Sequence, residues 1–230
     1  MFDLFKKIGE SLFTLGLNDS HSGNISLRKD EKILITKRSA MLSILEKADL
    51  IEVALSESDS NDEIASRDLP IHREIYLASN NQAIIHAHLP NVMALCITEN
   101  KILPQDTKGQ TFFPQGISII KPRQANDFGE LLSAVKNSNL SSEPYVIAIK
   151  GYGVFVGAKN LLDAFEVITS LEQSAKIWLA SKIVASKQNQ SNQQTNSTSG
   201  AQSRFDQRKR SAIPPGIGVM GRRTGGFSRR

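Results

Sequence analysis

Cysteine is almost absent. Cys96 is the single one among 230 residues, which excludes an intrachain disulfide framework and a cysteine-built zinc site. It lies in an apolar helical stretch, where a small core residue is expected rather than a nucleophile. Long hydrophobic runs are also missing, and none approaches the roughly 20 residues that cross a bilayer. Residues 1–186 hold no GxGxxG or P-loop pattern to cradle a nucleotide phosphate. The opening Met1-Phe2-Asp3-Leu4-Phe5-Lys6-Lys7 leads into an amphipathic helix, not into the apolar core of a signal peptide. A cytoplasmic protein without membrane insertion is expected.

Acidic residues are scarce at the C-terminal end. Residues 186–230 carry nine Lys and Arg against one acid, Asp206, for a net +8. The whole chain is +5, which leaves −3 for residues 1–185. The pI of 9.3 therefore describes the tail. Apolar periodicity stops at the same place, because residues 187–203 are almost wholly Lys, Gln, Asn, Ser, Thr, Gly and Ala. Such a composition buries no core, so 187–230 is expected to be a disordered basic tail behind one domain at 1–186.

What remains has an α/β pattern. Phe2, Leu4, Phe5, Ile8, Leu12, Phe13 and Leu15 form a helical stripe ending near Gly16. Residues 23–28 and 32–36 read as a hairpin turning at Lys29-Asp30-Glu31, with a third strand at 50–55 and a polar loop at 57–63. Helices are expected at 69–79, 91–100 and 125–138. A strand is expected at 83–89, and an apolar one at 145–156, interrupted by Gly151 and Gly153. A long helix runs from Asn160 to about Ser186 on a stripe that includes Leu161, Ile168, Leu171, Ala175 and Trp178. Some strands are sequential and others are separated by helices. This predicts a mixed, largely antiparallel sheet flanked by helices.

The tripeptide His86-Ala87-His88 lies inside the apolar run Ala83-Ile84-Ile85-His86-Ala87-His88-Leu89. Residues two apart on a strand share a face. Two imidazoles on one apolar face need two sets of hydrogen-bond partners, or one metal ion that answers both. The tripeptide alone leaves these alternatives open.

Four segments then occur in order: Gly23-Asn24-Ile25-Ser26; Ser66-Arg67-Asp68 followed by His72 and Tyr76; His86-Ala87-His88; and Gly151-Tyr152-Gly153-Val154. This succession, over about residues 5–183, resembles the class II aldolase/adducin family. The resemblance implies a central sheet flanked by helices, usually in a C4-type homotetramer. It implies a divalent metal, usually zinc, held by the two histidines of the His-x-His strand and a third from an Asn-His-Gly segment. It also implies a glutamate acid/base in a Ser-Ser-Glu segment and a small ketose-phosphate substrate. There the metal stabilises the enediolate as a carbon–carbon bond breaks.

By that resemblance His86 and His88 match two ligands, and Tyr152 stands at the third. A tyrosine ligates only as phenolate, from an ordinary pKa near 10. Asp68 stands at the glutamate and is one methylene shorter. His72 and Tyr76 match helix positions read as structural. Gly23, Asn24 and Ser66 fall where substrate is bound. The family's Thr-Pro-x-Gly loop is here Thr36-Lys37-Arg38-Ser39, and its second serine is Arg67. Lys37, Arg38 and Arg67, beside Ser39, stand where small residues would leave an amide cradle, and the two arginines supply guanidinium groups able to grip a phosphate or carboxylate. These residues otherwise read as surface charges. Thr111-Phe112-Phe113-Pro114 has no phenol where the family supplies a tyrosine.

Two functions follow. One is a metal-dependent, aldehyde-lyase-like enzyme acting on a small sugar phosphate or hydroxy-carbonyl compound, with zinc at His86, His88 and Tyr152 and Asp68 as acid/base. The other is a non-catalytic, adducin-like oligomeric scaffold whose basic tail binds a polyanion such as nucleic acid, or a protein. The Arg222-Arg223-Thr224-Gly225-Gly226-Phe227 stretch suits the polyanion.

Overall fold

The computed structural model describes residues 1–58, 60–123, 127–138 and 144–211, with side chains in the last helix described through Gln188. The chain divides into two units, Met1–Lys182 and Ile183–Arg230.

In the first unit, α1 (Phe2–Thr14) buries Phe5, Ile8 and Leu12, as its stripe predicts. The hairpin β1 (Asn24–Lys29) and β2 (Lys32–Thr36) follows, then β3 (Leu50–Ala54), α2 (Leu69–Ala78), β4 (Ala83–Ala87) and α3 (Pro90–Thr98). The sequence pattern assigns no element to the segment after α3. It forms β5 (Lys101–Ile102), α4 (Thr107–Phe112) and β6 (Ile117–Ile120). Next come α5 (Phe128–Lys136), β7 (Tyr145–Ile149), β8 (Gly153–Ala158) and α6 (Leu161–Ser211). The start expected for α5 near Ala125 lies outside the described residues.

The strands form one eight-stranded sheet in the order β3-β2-β1-β4-β8-β7-β6-β5. Every neighbouring pair is antiparallel except β6 with β7. The sheet is therefore mixed and largely antiparallel, as expected. One core packs α1, α3 and the start of α6 through Phe5, Leu12, Val92, Leu95, Ile168 and Leu171 against Ile85 and Val156. The other packs α2 and α5 through Ile71, Ile75, Leu131 and Val135 against Ile84 and Phe155. Alternation along β4 sends Ile85 to the first core and Ile84 to the second. His86 shares the parity of Ile84.

Two expectations are corrected. The run 145–156 is not one strand but the antiparallel hairpin β7–β8. Gly151 (φ 75°) and Gly153 (φ 143°) take left-handed conformations that turn the chain back, and Tyr152 sits at the tip. In addition, α6 is helical through Ser211, past the end expected near Ser186. Neither Gly nor Pro occurs between Asn160 and Ser199 to stop it. Residues 212–230, including Arg222 and Arg223, lie outside the described residues. Among the described residues no helix is long and apolar enough to cross a membrane.

Candidate active site

Four backbone devices bring distant residues to one place. Asn24 opens β1 and pairs directly across from His86 on β4. Gly23 (φ +77°) lets the chain enter β1 so closely that an added Cβ would lie 2.3 Å from Asn18 Nδ2 and 2.7 Å from the His86 carbonyl. Asp68 is the N-cap residue of α2, yet its side chain makes no cap bond and is free to face the sheet. The glycine turn carries Tyr152 to the same point.

The hydrogen bonds there have one consistent direction. Asp68 is a buried carboxylate. Its Oδ2 accepts from Asn24 Nδ2 at 2.6 Å and from His86 Nδ1 at 2.7 Å. Its Oδ1 accepts from the Tyr152 hydroxyl. Because the Asn24 amide nitrogen donates to Asp68, its Oδ1 accepts, and His72 Nε2–H donates to it at 2.6 Å. His72 Nδ1 is then an acceptor, taking the Ser26 hydroxyl proton at 2.7 Å. Ser26 Oγ in turn accepts from the Tyr76 hydroxyl at 2.7 Å. These proton positions follow from the network. Every donor along it points toward Asp68.

The same arrangement shapes the acidities. Burial raises the Asp68 carboxyl, but the His86 imidazole, with the Tyr152 and Asn24 donors, more than offsets this and holds it well below the usual carboxylate range. Burial pushes His72 down to about 3 and keeps it neutral. Burial, then the Asp68 charge, pushes the Tyr152 hydroxyl above the usual phenol range, so it stays protonated. Burial, reinforced by His86, lowers the half-buried His88 to about 4.

The ring of His86 lies nearly parallel to those of Phe155 (centroids 4.2 Å apart) and Tyr152 (5.4 Å). The His88 ring is 5.0 Å away and tilted by 49°. With Nδ1–H committed to Asp68, His86 Nε2 is buried without a hydrogen-bond partner. It faces Gly153, where an added Cβ would lie 2.5 Å from it. Elsewhere, a cavity of about 480 Å³ is lined by Phe113, Pro114, Ile120, Tyr145 and Ile147. Its described lining has no charged side chain, so the buried polar cluster is the better candidate site.

The model of the class II aldolase and adducin N-terminal domain family matches residues 4–179. This chain belongs to that family. It is 27% identical over 183 residues to a 3-oxo-tetronate 4-phosphate decarboxylase of Cupriavidus necator, covering 76% of this chain and 82% of the relative. It is 28% identical over 181 residues to an L-fuculose phosphate aldolase of Methanocaldococcus jannaschii, covering 78% and 96%. The structure of L-fuculose-1-phosphate aldolase from Thermus thermophilus superposes with a TM-score of 0.71 at 28% identity, over 80% of this chain and 95% of that one.

This member of the class II aldolase family brings Asn24, Asp68, His86 and Tyr152 into direct contact, with His88 beside them. Ser66 is buried next to them, its Oγ accepting from the Asp68 backbone N–H at 3.3 Å. Arg38, Ser39 and Arg67 are exposed, and the Arg67 charge reaches Tyr152. Lys37 of the same loop pairs with Asp49 at 2.7 Å. The zinc implied by the resemblance does not fit this donor set. His86 Nε2 and His88 suit a metal, but Tyr152 is a neutral donor to Asp68, and Asp68 meets the opposite edge of the His86 ring. Among the described residues no three His, Cys, Asp or Glu side chains are grouped to hold a metal ion, and a catalytic zinc site takes about three protein ligands.

Sequence reasoning does not single out Ser26 and reads His72 and Tyr76 as structural. The signal for them is their spacing. Ser26 shares the face of Asn24 on β1, and His72 and Tyr76 stand four residues apart on one face of α2.

Proposed function

We propose that this chain is a lyase-like enzyme acting on a small phosphorylated hydroxy-carbonyl compound, with Asp68, His86 and Tyr152 as its proton-handling centre. The observation that carries this is the buried, ionised Asp68 gathering three donors while His86 Nε2 is left bare. A buried charge of this kind is a poor way to gain stability, and strongly perturbed acidities cluster where chemistry is done. Asp68 holds His86 as the Nδ1–H tautomer, which leaves Nε2 to accept a proton. The Tyr152 hydroxyl keeps its proton on Asp68 Oδ1 and fixes the carboxylate in place. Asn24, Gly23 and Ser66 line the approach. Arg38, Ser39 and Arg67 receive the anionic group of the substrate. No step is assigned to zinc.

The relatives' names give an aldolase and a decarboxylase, both on phosphorylated substrates, so the reading stops at the reaction class. The purified protein should be assayed with L-fuculose 1-phosphate and with 3-oxo-tetronate 4-phosphate, with and without EDTA. Turnover of one of them, insensitive to EDTA and reduced at least ~100-fold by Asp68→Asn, is expected. Absence of turnover on both, or an unaffected Asp68→Asn enzyme, refutes the reading.

One observation favours the scaffold alternative: both Asp68 oxygens are already taken by protein donors. In that reading the chain is a homo-oligomer, a tetramer by resemblance, and residues 187–230 bind a polyanion. Binding of single-stranded RNA that weakens steeply with salt and disappears on deleting 187–230 would support it. Binding that survives the deletion would count against it.

A further inference from the structure

We infer that the Tyr152 phenol closes the Asp68–His86 centre against divalent metal, its O–H occupying the place in the electrostatics that a cation would otherwise take. A buried carboxylate needs compensating positive ends. Here three donors supply them: the Asn24 amide and His86 Nδ1–H on Oδ2, and the Tyr152 hydroxyl on Oδ1.

That solution excludes a shared ion for geometric reasons. Asp68 meets the Nδ1 edge of His86, whereas the buried, unpartnered Nε2 lies on the far edge against Gly153. One ion cannot reach both without a rearrangement that breaks the 2.7 Å Asp68–His86 bond. Tyr152 could ligate only after losing its proton, and the resulting phenolate would stand against the carboxylate it now serves.

An imidazole at position 152 has neither difficulty. It offers a neutral nitrogen with a lone pair, on a ring now nearly parallel to His86 at 5.4 Å. His86 Nε2 is already bare, and His88 stands 5.0 Å away. A single change, Tyr152→His, should therefore turn a metal-excluding centre into a metal-binding one. The inference concerns the same centre as the proposed function but does not depend on turnover.

The test is zinc uptake by the full chain. Wild-type protein and the Tyr152→His and Tyr152→Phe variants are stripped with EDTA, incubated with zinc sulfate and dialysed. Zinc per chain is then read by elemental analysis, and the melting temperature is read with and without zinc. Wild type should retain under about 0.1 zinc per chain with no zinc-dependent rise in melting temperature. Tyr152→His should retain about one, with a rise. Tyr152→Phe should retain none and melt lower than wild type, since Asp68 Oδ1 loses its donor.

Stoichiometric zinc in the wild type overturns the inference while leaving the lyase reading standing. A folded Tyr152→His variant without zinc also overturns it, as does a Tyr152→Phe variant that melts like wild type. Should Tyr152→His fail to fold, the wild-type and Tyr152→Phe measurements still decide the matter.

Discussion

His72→Gln removes a titration while keeping both hydrogen bonds. His72 accepts from Ser26 at Nδ1 and donates to Asn24 from Nε2, at 2.7 and 2.6 Å. A glutamine amide offers one acceptor and one donor at a similar spacing. At about pH 7.5 this variant should lie within ~1 kcal/mol of wild type. His72→Phe strands the Ser26 hydroxyl and Asn24 Oδ1 instead, at roughly 1–3 kcal/mol each.

The two proteins separate on acidification. Unfolded His72 takes up a proton at its ordinary 6.5, but burial delays this to about 3 in the folded state. Between those values the unfolded chain binds the extra proton. Stability from this residue is therefore intact above 6.5 and is lost as pH falls toward 3, at about 1.4 kcal/mol per pH unit. From about pH 7.5 to about pH 5 wild type should lose ~2 kcal/mol relative to His72→Gln. Urea unfolding at several pH values measures this directly. If the two pH dependences run parallel, burial does not hold His72 neutral in the folded protein, and this reasoning is refuted.

Other consequences can be checked separately. Gly153→Ala combines a left-handed φ of 143° with a Cβ 2.5 Å from His86 Nε2 and 2.9 Å from the Ala87 carbonyl. It should cost about 2–6 kcal/mol in urea unfolding. Gly16→Ala, at φ +68° with open space around it, should cost only ~1–2 kcal/mol, and equal losses would refute the steric argument. Arg38→Gln and Arg67→Gln should raise KM about tenfold for a phosphorylated substrate with kcat unchanged, roughly 1.4 kcal/mol of binding; an unchanged KM removes them from the anion site. The Cys96 thiol, buried and pushed up to about 11, should resist a disulfide reagent in the native protein and react on unfolding. Fast native labelling would contradict its burial.

Much of the fold is legible because its signals are local. The stripe of α1, the 23–36 hairpin and the start of α6 each bury one face whose period can be read along the chain. The 101–120 segment is not legible in this way. Two-residue β5 and six-residue α4 are too short to show a period, and β6 is held by β7 from a distant part of the chain. The 145–156 run misleads because apolar β-branched residues suit either one strand or two. Positive φ at Gly151 and Gly153 decides for two.

The sequence by itself determined the family, the mixed sheet and the set of unusual residues at the site: Asp68, His86, His88, Tyr152, Arg38 and Arg67. Each is an identity at a position, carried by order and spacing. It did not determine what those residues do to one another. Whether Tyr152 faces a metal or Asp68, which edge of His86 is bonded, and which way the Asn24 amide points depend on directions converging from β1, α2, β4 and the β7–β8 turn. Those directions are set by strand register, by an N-cap whose side chain leaves its own helix, and by two left-handed glycines. Hydrogen bonds depend on angle and on a few tenths of an ångström, so only the assembled tertiary structure could turn a line of candidate ligands into a network whose donors all end on Asp68.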